Sequence, residues 1–462
     1  MKTVSIIGAG LVGSLLAIYL ARRGYEVDVF ESRSDCRVAG SDHGRSINLA
    51  MSCRGITGLS EAGILPIVEK LMVPMRARAI HGEKGGVTYQ AFGRDHDEYI
   101  NAIQRTDLNK VLLDEADKFP SIAWHFDTQL LQLDVSKKAA HFKRPDGSQF
   151  THAYQRVIGA DGANSAVRAS LQQQGLVSTS RDFISHGYKE IAISNASSKH
   201  LAGEHLHLWP RESLLLLGNP NLDGSVTGSL FLPLKGENSL AFLDNEPRIK
   251  AFFEKTFPDI APMMPDVAGD FLNHPTGYMS TVKCSPWHHD DQCLLIGDAA
   301  HGLIPFFGQG MNSGFEDCRI LNDLLDLHHD DWSLVMPAFY LARKPNTDAV
   351  SEMSTDNQHE IQMGIRDQRF NFKKQLEQHL MQRYPDRYVS KHVLVMFTNT
   401  PYAIALAQGR LQSTLLERIC NRTTKLSDVD WLRVDELMRE YDKSLAHLTC
   451  TPHDQVDSAP AL

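Results

Sequence analysis

The N-terminal segment alternates between apolar runs and turns in a pattern that predicts a strand, a helix and a second strand. Residues 3–7 are an apolar run that predicts a buried strand, and a glycine-rich turn follows over residues 8–13. Residues 14–23 have the spacing of a helix, and residues 26–31 predict a second buried strand. Such a strand-turn-helix-strand unit is a typical opening of a doubly wound parallel sheet.

The hydrophobic pattern changes further along the chain. A helix is predicted over residues 108–118, followed by strands at 123–126, 130–135 and 157–158. Alternation with period two then predicts antiparallel strands at 190–193, 205–209, 214–217 and 226–232. A buried strand returns at residues 293–296, and the chain beyond about residue 330 is predicted to be mainly helical.

These elements together predict an α/β fold. A doubly wound Rossmann-type domain would be assembled from two separate segments, with an antiparallel-sheet domain inserted between them and a C-terminal helical region after them. The predicted boundaries are 1–180 and 280–330 for the discontinuous domain, 181–279 for the inserted sheet, 331–450 for the helical region and 451–462 for a tail.

Composition and charge narrow the function classes. The chain has 47 Lys and Arg against 56 Asp and Glu, a formal net charge of −9. This acidity argues against a nucleic-acid-binding protein, which needs a basic face to neutralise phosphates. The 7 cysteines are scattered and include no C-x-x-C pair, so neither a zinc site nor a disulfide framework is expected. A cytoplasmic location follows as the simpler expectation.

The apolar N-terminal stretch could also be a secretory signal or a short membrane anchor, because Lys2 precedes it and Arg22 and Arg23 follow it. Two features argue against that interpretation. The stretch contains glycines at a chemically meaningful spacing, and no A-x-A-like cleavage site precedes its charged end. Elsewhere no apolar run approaches the ~18 residues needed to cross a bilayer, so no membrane span is expected.

Gly8, Gly10 and Gly13 form a G-x-G-x-x-G motif between the first strand and the first helix. In such turns the glycines allow a tight bend and the close approach of a pyrophosphate, which the helix N-terminus attracts. Glu31 ends the second strand, 18 residues after Gly13, where a carboxylate accepts ribose hydroxyls. A carboxylate there repels a 2′-phosphate, so the pocket is expected to hold the adenosine of FAD or NAD and not of NADPH.

Two later motifs favour FAD over NAD. Asp161-Gly162 follows the strand at 157–158, and Gly297-Asp298 follows the strand at 293–296. A carboxylate at Asp298 can bind the ribityl hydroxyls of a flavin. The helix predicted to begin near Gly310 would direct its N–H groups at N1 and the C2 carbonyl of the isoalloxazine, where negative charge accumulates on reduction.

These motifs in this order resemble those of the flavoprotein aromatic hydroxylases, the single-component FAD monooxygenases. Within that family the chain is most similar to the members that hydroxylate kynurenine, from residue 3 to about residue 410. The similarity is carried by GRSINLA at 44–50, PMRAR at 74–78, HGY at 186–188, LHLWP at 206–210 and PFFGQGMN at 305–312. The resemblance implies that the discontinuous Rossmann-type domain is an FAD-binding domain.

The resemblance also implies a set of FAD contacts. They fall on Val12, Glu31, Arg33, Ala50, Arg105, Leu130, Asp298, Met311 and Asn312, beside the motif residues Gly8, Gly10, Gly13, Asp161 and Gly310. Arg105 has a physical rationale of its own, since a guanidinium can pair with the pyrophosphate. The alternative is a solvent-facing arginine before a helix cap at Thr106.

The substrate implied by the resemblance is L-kynurenine, an amino acid with an ortho-aminophenyl ketone. The family binds the substrate carboxylate with an arginine, an asparagine and two tyrosines. Arg78 and Asn357 match the first two, whereas the tyrosine positions are Phe92 and His392 here. Phe92 cannot donate a hydroxyl hydrogen bond, and His392 donates with a different reach. These departures leave open a second substrate class, another aminoaryl or phenolic acid.

The reaction implied by the resemblance needs NADPH and O2 and no catalytic side chain, since an FAD C4a-hydroperoxide carries the chemistry. No second G-x-G-x-x-G appears, so NADPH is expected to bind transiently. A flavin-binding module without turnover is the alternative from a different class. Adjacent histidines at 288–289 and 328–329 could suggest a metal, but neighbouring side chains diverge, so exposed loops are expected and no metal site is assigned.

Overall fold

The computed structural model describes residues 2–38, 48–201, 203–360, 368–421 and 423–450. Gly44, Arg45, Ser46 and Ile47 of the GRSINLA motif and the predicted tail at 451–462 lie outside these residues. Within the described ranges, no helix has the length and apolar character that a membrane crossing requires.

The strands are, in chain order, β1 Thr3–Ile7, β2 Glu26–Phe30, β3 Asn48–Met51, β4 Val73–Met75, β5 Ala77–His81, β6 Val87–Ala91, β7 Ile100–Gln104, β8 Ile122–His125, β9 Gln129–Asp134, β10 Ala139–Lys143, β11 Gln149–Ala153, β12 Val157–Gly159, β13 Ser178–Ile193, β14 His205–Arg211, β15 Leu214–Pro220, β16 Val226–Pro233, β17 Gly277–Ser285, β18 His288–His289 and β19 Cys293–Leu295.

The helices are α1 Leu11–Arg22, α2 Cys53–Glu61, α3 Leu65–Val68, α4 Arg105–Ala116, α5 Ala166–Gln173, α6 Asn195–Ser198, α7 Glu246–Thr256, α8 Val267–Asn273, α9 Asp298–His301, α10 Gly310–Leu327, α11 Trp332–His359, α12 Gln368–Arg383, α13 Lys391–Phe397, α14 Tyr402–Cys420 and α15 Trp431–Cys450. A short 3₁₀ turn at Pro305–Phe307 leads into α10.

The central sheet has the order β18-β19-β12-β1-β2-β8 and is parallel except at the β18 edge. Ser5 pairs with Val157, which pairs with Cys293, so three distant segments supply adjacent strands. This arrangement confirms the predicted α/β fold class. Helix α1 begins at Leu11 rather than at residue 14, because Gly10 occupies the N-cap position and Gly13 lies in the first turn.

The second sheet has the order β17-β13-β16-β15-β14-β5-β6. The predicted strands at 190–193, 205–209, 214–217 and 226–232 lie within β13 to β16 and pair antiparallel. The sheet is not purely antiparallel, because β14 runs parallel to β5. Strands β5 and β6 come from the segment assigned above to the FAD-binding domain. We therefore propose that the sheet domain consists of residues 77–91 and 178–285 rather than 181–279.

Several local elements were missed or misplaced by the sequence analysis. Strands β10 and β11 form an antiparallel hairpin beside β9, and β3, β7 and β4 form another small antiparallel sheet. His288 and His289 are half-buried in β18, so an exposed loop was the wrong expectation there. His328 and His329 lie in the turn after α10.

The chain beyond α10 is helical, as predicted. Helices α12, α14 and α15 share an apolar core of their own, whereas α11, α13 and α14 also pack against a cluster that includes Phe92 and Phe307. This second cluster joins the helical region to the small β3-β7-β4 sheet and, through Leu206, to β14 of the second sheet. The site described below lies beside it.

Candidate active site

The turn between β1 and α1 has no room for side chains at two of its three motif glycines. Gly8 has a φ of +106°, and a Cβ there would lie 2.6 Å from the Ala160 carbonyl oxygen. A Cβ on Gly13 would lie 1.9 Å from the Gly8 carbonyl oxygen. A Cβ on Gly10 would meet nothing within 4 Å, and Gly10 lines an open cavity. The turn therefore exposes backbone to that cavity, as a pyrophosphate site requires.

Glu31 follows β2 and is buried at the wall of the same cavity. Its Oε2 accepts the Ala9 N–H at 2.9 Å, and its Oε1 accepts the Arg33 N–H at 3.0 Å and Nε at 2.9 Å. Burial raises the pKa of this carboxyl, but the Arg33 guanidinium and the backbone donors lower the pKa more, so the net shift is downward. Glu31 is therefore anionic at neutral pH, with lone pairs available to ribose hydroxyls.

Four of the predicted FAD-binding residues, Gly10, Glu31, Arg33 and Arg105, line this one cavity. The other residues that line it were missed as a group: Ala9, Leu11, Ser34, Cys36, Thr106, Asn109, Leu113 and Phe126. Ala9 and Leu11 stand inside the glycine motif, whereas the others carry no motif, because they come from α4 and from loops that meet only in the fold. Helix α4 begins at Arg105 with Gln104 at its N-cap, so the alternative of a Thr106 cap is wrong.

Asp161 organises the turn after β12. Its Oδ2 accepts the N–H groups of Ala166 at 2.7 Å and Val167 at 3.2 Å, at the start of α5. Its Oδ1 is buried without a hydrogen-bond partner within the described chain. Burial raises the pKa of this carboxyl. Arg168 donates to the carbonyl oxygens of Ala163 at 2.6 Å and Ala299 at 2.7 Å, so it links this turn to the one after β19.

Asp298 is exposed in the turn after β19, at the start of α9. Gly297 has a φ of +60°, and the position of a Cβ on Gly310 would lie 3.9 Å from Asp298 Oδ1. Asp298 and the first turn of α10 therefore face one another. Desolvation raises the pKa of the Asp298 carboxyl, while the neighbouring His301 and Arg105 act in the opposite direction. Arg105 also lines the cavity beside Gly10 and Glu31, so that cavity and the Asp298 turn share one electrostatic environment.

The side chain of Asn312, predicted to contact FAD, is instead hydrogen-bonded within the protein. Its Nδ2 donates to the carbonyl oxygens of Ala50 at 2.8 Å and Gly308 at 2.9 Å, and its Oδ1 accepts the Ser52 N–H at 2.9 Å. The side chain is fully buried and already bonded, so it joins β3 to α10. Asn312 and Met311 can therefore serve a ligand through the N–H groups of the first turn of α10, which have no acceptor within the helix.

Two other predicted contacts are core residues. Leu130 is buried in β9. Just before this strand, the Thr128 N–H donates to the Glu31 carbonyl oxygen at 2.8 Å and so holds the start of β9 beside Glu31. Val12 packs against the turn after β19, since a Cβ on Gly297 would lie 3.2 Å from its Cγ2. Neither residue lines the cavity beside Gly10 and Glu31.

The residues present fit FAD. Bare backbone at Gly10 and a buried anion at Glu31 suit a pyrophosphate and a ribose, respectively. The carboxylate of Asp298 beside the N-terminus of α10 suits ribityl hydroxyls and the electron-rich edge of a flavin. The unpartnered Asp161 Oδ1 is a further acceptor at the same edge of the sheet.

The four residues predicted to bind substrate line a second cleft. Arg78, Phe92, Asn357 and His392 come together there, although 314 residues separate the first from the last. The cleft has an empty volume of about 910 Å³, in part open to solvent, which is sufficient for a single aromatic amino acid. Its apolar wall includes Leu208, Phe307, Met353, Phe370 and Met381.

Arg78 lies in this cleft without a carboxylate partner. Among the described residues, no acidic oxygen lies within 4.0 Å of its guanidinium. The guanidinium instead lies 4.7 Å from the centroid of the Phe92 ring, and its Nη2 lies 3.5 Å from His392 Nε2. Desolvation lowers the pKa of Arg78 to about 10, an effect that the more distant Glu360 carboxylate opposes. Arg78 is thus a partly desolvated cation, which favours an incoming anion.

His392 and Asn357 complete the polar part of the cleft. Desolvation, then the cations of Arg78, Lys374 and Lys391, hold the pKa of His392 well below its usual value, so the imidazole is neutral at pH 7. Asn357 donates from Nδ2 to the Phe306 carbonyl oxygen at 2.5 Å. This bond joins α11 to the turn that leads into α10. One amide hydrogen and the carbonyl oxygen of Asn357 remain for a ligand.

Helix α12 contributes charged residues that the sequence analysis missed. Lys374 Nζ lies 3.1 Å from Glu377 Oε2 and 3.7 Å from Glu360 Oε2. All three line the cleft with Arg78. The apolar spacing of α12 predicted a helix but gave no sign that its polar side faces a cavity.

Comparison with known proteins places the chain in a family. Residues 1–214 and 264–331 match the family described as FAD binding domain. The chain is 57% identical to kynurenine 3-monooxygenase of Legionella pneumophila (strain Corby) over 448 residues, 97% of this chain and 100% of that protein. It is 39% identical to kynurenine 3-monooxygenase of Myxococcus xanthus (strain DK1622) over 440 residues, 95% of each.

A solved structure shares the fold. The tetrameric form of 2-methyl-3-hydroxypyridine-5-carboxylic acid oxygenase superimposes with a TM-score of 0.65 at 18% identity, over 82% of this chain and 96% of that one. At this identity the similarity shows the fold alone. The sequence matches carry the assignment: the chain belongs to the kynurenine 3-monooxygenase family of FAD-dependent aromatic monooxygenases.

Proposed function

We propose that the protein hydroxylates L-kynurenine at ring carbon 3, with NADPH and O2 as co-substrates. One oxygen atom of O2 replaces the aromatic hydrogen as a hydroxyl group, and the other leaves as water. NADPH supplies a hydride and solvent supplies one proton, so NADP⁺ is the remaining product. FAD, when bound, accepts electrons from NADPH and activates O2.

The observation that carries the proposal is the cation of Arg78 in a cleft with an apolar wall. A guanidinium with no carboxylate within 4.0 Å among the described residues, and with a lowered pKa of about 10, is poised to bind a carboxylate. The α-carboxylate of an aromatic amino acid provides this charge, and the wall of Leu208, Phe307 and Met353 suits the ring. The geometry therefore supports an anionic aromatic substrate.

The substrate cleft adjoins the proposed flavin site. Phe307 lines the cleft, and α10 begins three residues later, at Gly310. A ring that packs against Phe307 would therefore lie near the N–H groups of this helix, where the electron-rich edge of the flavin is expected. The role of these residues is to orient the ring and to exclude water. No side chain needs to move a proton, because the amino group already activates the neighbouring ring carbon.

Two residues favour a second candidate function, the same chemistry on another aminoaryl or phenolic acid. Phe92 offers only a ring face to the cleft, and His392 is neutral with Nε2 directed at Arg78. The hydroxyl donors that kynurenine hydroxylases place there are replaced at both positions. A substrate with fewer polar contacts at its acidic end would suit this pair.

The test follows NADPH oxidation and 3-hydroxykynurenine formation by the purified yellow holoenzyme after addition of kynurenine. We expect one 3-hydroxykynurenine formed per NADPH oxidised, and slower oxidation with NADH. NADPH loss that yields only hydrogen peroxide would contradict kynurenine as the substrate and support the second candidate. A flavin-containing protein that never oxidises NADPH with any aromatic acid would support a flavin-binding module without turnover.

A further inference from the structure

We propose that Arg54 is a positioning residue for the substrate cleft: by binding the carbonyl end of α13 it holds His392 beside Arg78, although it contacts neither. Arg54 is not one of the predicted site residues and lines neither of the two cavities described above. The inference rests on the proposed function only for the ligand used in one arm of its test.

Arg54 caps the C-terminal end of α13. This helix has seven residues. The carbonyl oxygens of its last turn receive no N–H hydrogen bond from within the helix. Arg54 donates from Nη1 to the Val395 carbonyl oxygen and from Nη2 to that of Thr400. Its guanidinium also lies 3.9 Å from the ring centroid of Tyr402. A cation at a helix C-terminus complements the helix dipole, so these contacts fix α13 firmly.

The other end of α13 carries the site residue. His392 lies in the first turn, where Ser390 Oγ accepts the Val393 N–H at 3.3 Å. Only about one helical turn separates His392 from the carbonyl group of Val395 that Arg54 binds. In so short a helix, a shift at one end moves the other, so the Arg54 contact sets the position of the imidazole.

Arg54 is itself held rigidly. Its side chain is 0% exposed, and its Nε donates to Glu316 Oε1 at 3.1 Å. Helices α2 and α10, which carry these two residues, pack closely, since a Cβ on Gly55 would lie 2.5 Å from Asn312 Oδ1. The guanidinium therefore connects α13 to α10, the helix whose first turn faces the proposed flavin site.

The charge of Arg54 is compensated by a buried network. Arg343 donates from Nη1 to Glu316 Oε2 at 2.6 Å and from Nε to Asp317 Oδ1 at 2.7 Å. Asp317 Oδ2 in turn accepts the Gly297 N–H at 3.0 Å, in the turn that carries Asp298. Two cations and two carboxylates thus form a continuous connection from α13 to the proposed flavin site. Loss of one member would leave a buried charge unpaired, which is strongly destabilising.

The first arm of the test needs no ligand. Hydrogen–deuterium exchange of residues 391–400 is measured in the holoenzyme for wild type, Arg54→Lys and Glu316→Gln. Lysine keeps the charge but cannot bind two carbonyl groups and Glu316 together, so we expect exchange in this segment to be about tenfold faster. Arg22→Met is the matched control, because Arg22 also binds a helix-terminal carbonyl, that of Glu61 at 2.8 Å, but at an exposed site. It should leave residues 391–400 unchanged.

The second arm is a double-mutant cycle with His392→Ala, read out as the KM for kynurenine, kcat and the calorimetric Kd. We expect Arg54→Lys to raise KM and Kd about tenfold with kcat within about twofold, and to have less than a twofold effect in the His392→Ala background. Equal effects in both backgrounds would overturn the proposal, as would unchanged exchange in residues 391–400. If both network variants lose FAD or unfold, the network serves stability alone and the proposal also fails. A wild type that does not bind kynurenine contradicts the proposed function, while the exchange arm still decides the role of Arg54.

Discussion

The Nη2 atom of Arg78 lies 3.5 Å from Nε2 of His392, and both groups have a pKa lowered by desolvation. Because the imidazole is neutral, its Nε2 lone pair can face the guanidinium, and Nδ1 then carries the proton. The pair therefore has one positive charge, located on Arg78. A histidine in this position orients the arginine without neutralising it, which keeps the full charge for the substrate.

Arg78→Ala should raise the KM for kynurenine about 30-fold or more while FAD remains bound. Removal of one partner of a buried charge pair typically costs about 2–5 kcal/mol, and Arg78 is the cation expected to pair with the substrate carboxylate. Arg76→Ala is the control, since Arg76 lies two residues earlier and pairs with Glu204 outside the cleft at 3.1 Å. Steady-state kinetics and the flavin spectrum check both variants. An unchanged KM in Arg78→Ala would show that the carboxylate contact is misassigned.

Phe92→Leu should also raise the KM, by about 5- to 30-fold. The ring of Phe92 supports the Arg78 guanidinium from 4.7 Å, and a cation–π contact at a desolvated site contributes about 1–2 kcal/mol. Phe92→Tyr retains the ring face and adds the hydroxyl donor found in related enzymes, so its KM should equal or fall below that of wild type. A higher KM for the tyrosine variant than for the leucine variant would contradict this role of the ring.

Gly10→Ala and Gly13→Ala should separate FAD binding from folding. A Cβ on Gly10 meets nothing within 4 Å, so the apoprotein should keep its Tm while its Kd for FAD rises about tenfold or more. A Cβ on Gly13 would lie 1.9 Å from a backbone oxygen. The free energy of unfolding of Gly13→Ala should therefore fall by more than the roughly 1–3 kcal/mol typical of overpacking. Thermal unfolding and flavin fluorescence titration measure the two effects. A Tm for Gly10→Ala as low as that for Gly13→Ala would refute the distinction.

His81 should make the protein less stable in mild acid. Its Nε2 lies 2.9 Å from His207 Nδ1, and burial, with this neighbour, lowers its pKa to about 4. In the unfolded chain the pKa of histidine is about 6.5, so the unfolded state binds more protons between these values. The contribution of neutral His81 to the free energy of unfolding is therefore fully present above about pH 6.5 and is lost as the pH falls towards 4.

The variant His81→Gln isolates this contribution, because an amide can still bond His207 but does not titrate over this range. The Tm of each holoenzyme is compared at pH 7.5 and pH 5.0. We expect a smaller difference between the two pH values in the variant. An equal difference in both proteins would show that His81 does not contribute to the acid sensitivity.

The sequence predicted the parts of the fold that depend on local patterns. The β1-α1-β2 unit was found because an apolar run, glycines and a carboxylate at Glu31 follow one another closely. Pairing between distant segments could not be predicted in the same way. Strand β5 joins β14 by a parallel ladder in which Arg78 lies opposite Leu206, and nothing near either residue indicates that pairing.

The candidate site shows the same division. Arg78, Phe92, Asn357 and His392 were selected by resemblance, and the structure gathers them in one cleft. Lys374 and the buried Arg54 were missed, because a charged residue on a helix predicts solvent exposure unless its partners are known. Those partners lie on other helices, so only the tertiary structure identifies them.

Strands that are neighbours in the central sheet are synthesised at very different times. Val157 of β12 pairs with Ser5 on one side and with Cys293 on the other. At about 5–20 residues per second, β12 emerges from the ribosome roughly 7–27 s before its second partner is synthesised. During that interval an apolar strand of the FAD-binding domain has an open edge, which favours chaperone binding or aggregation. Fragments that end before Cys293 lack the complete sheet and should not fold to bind FAD.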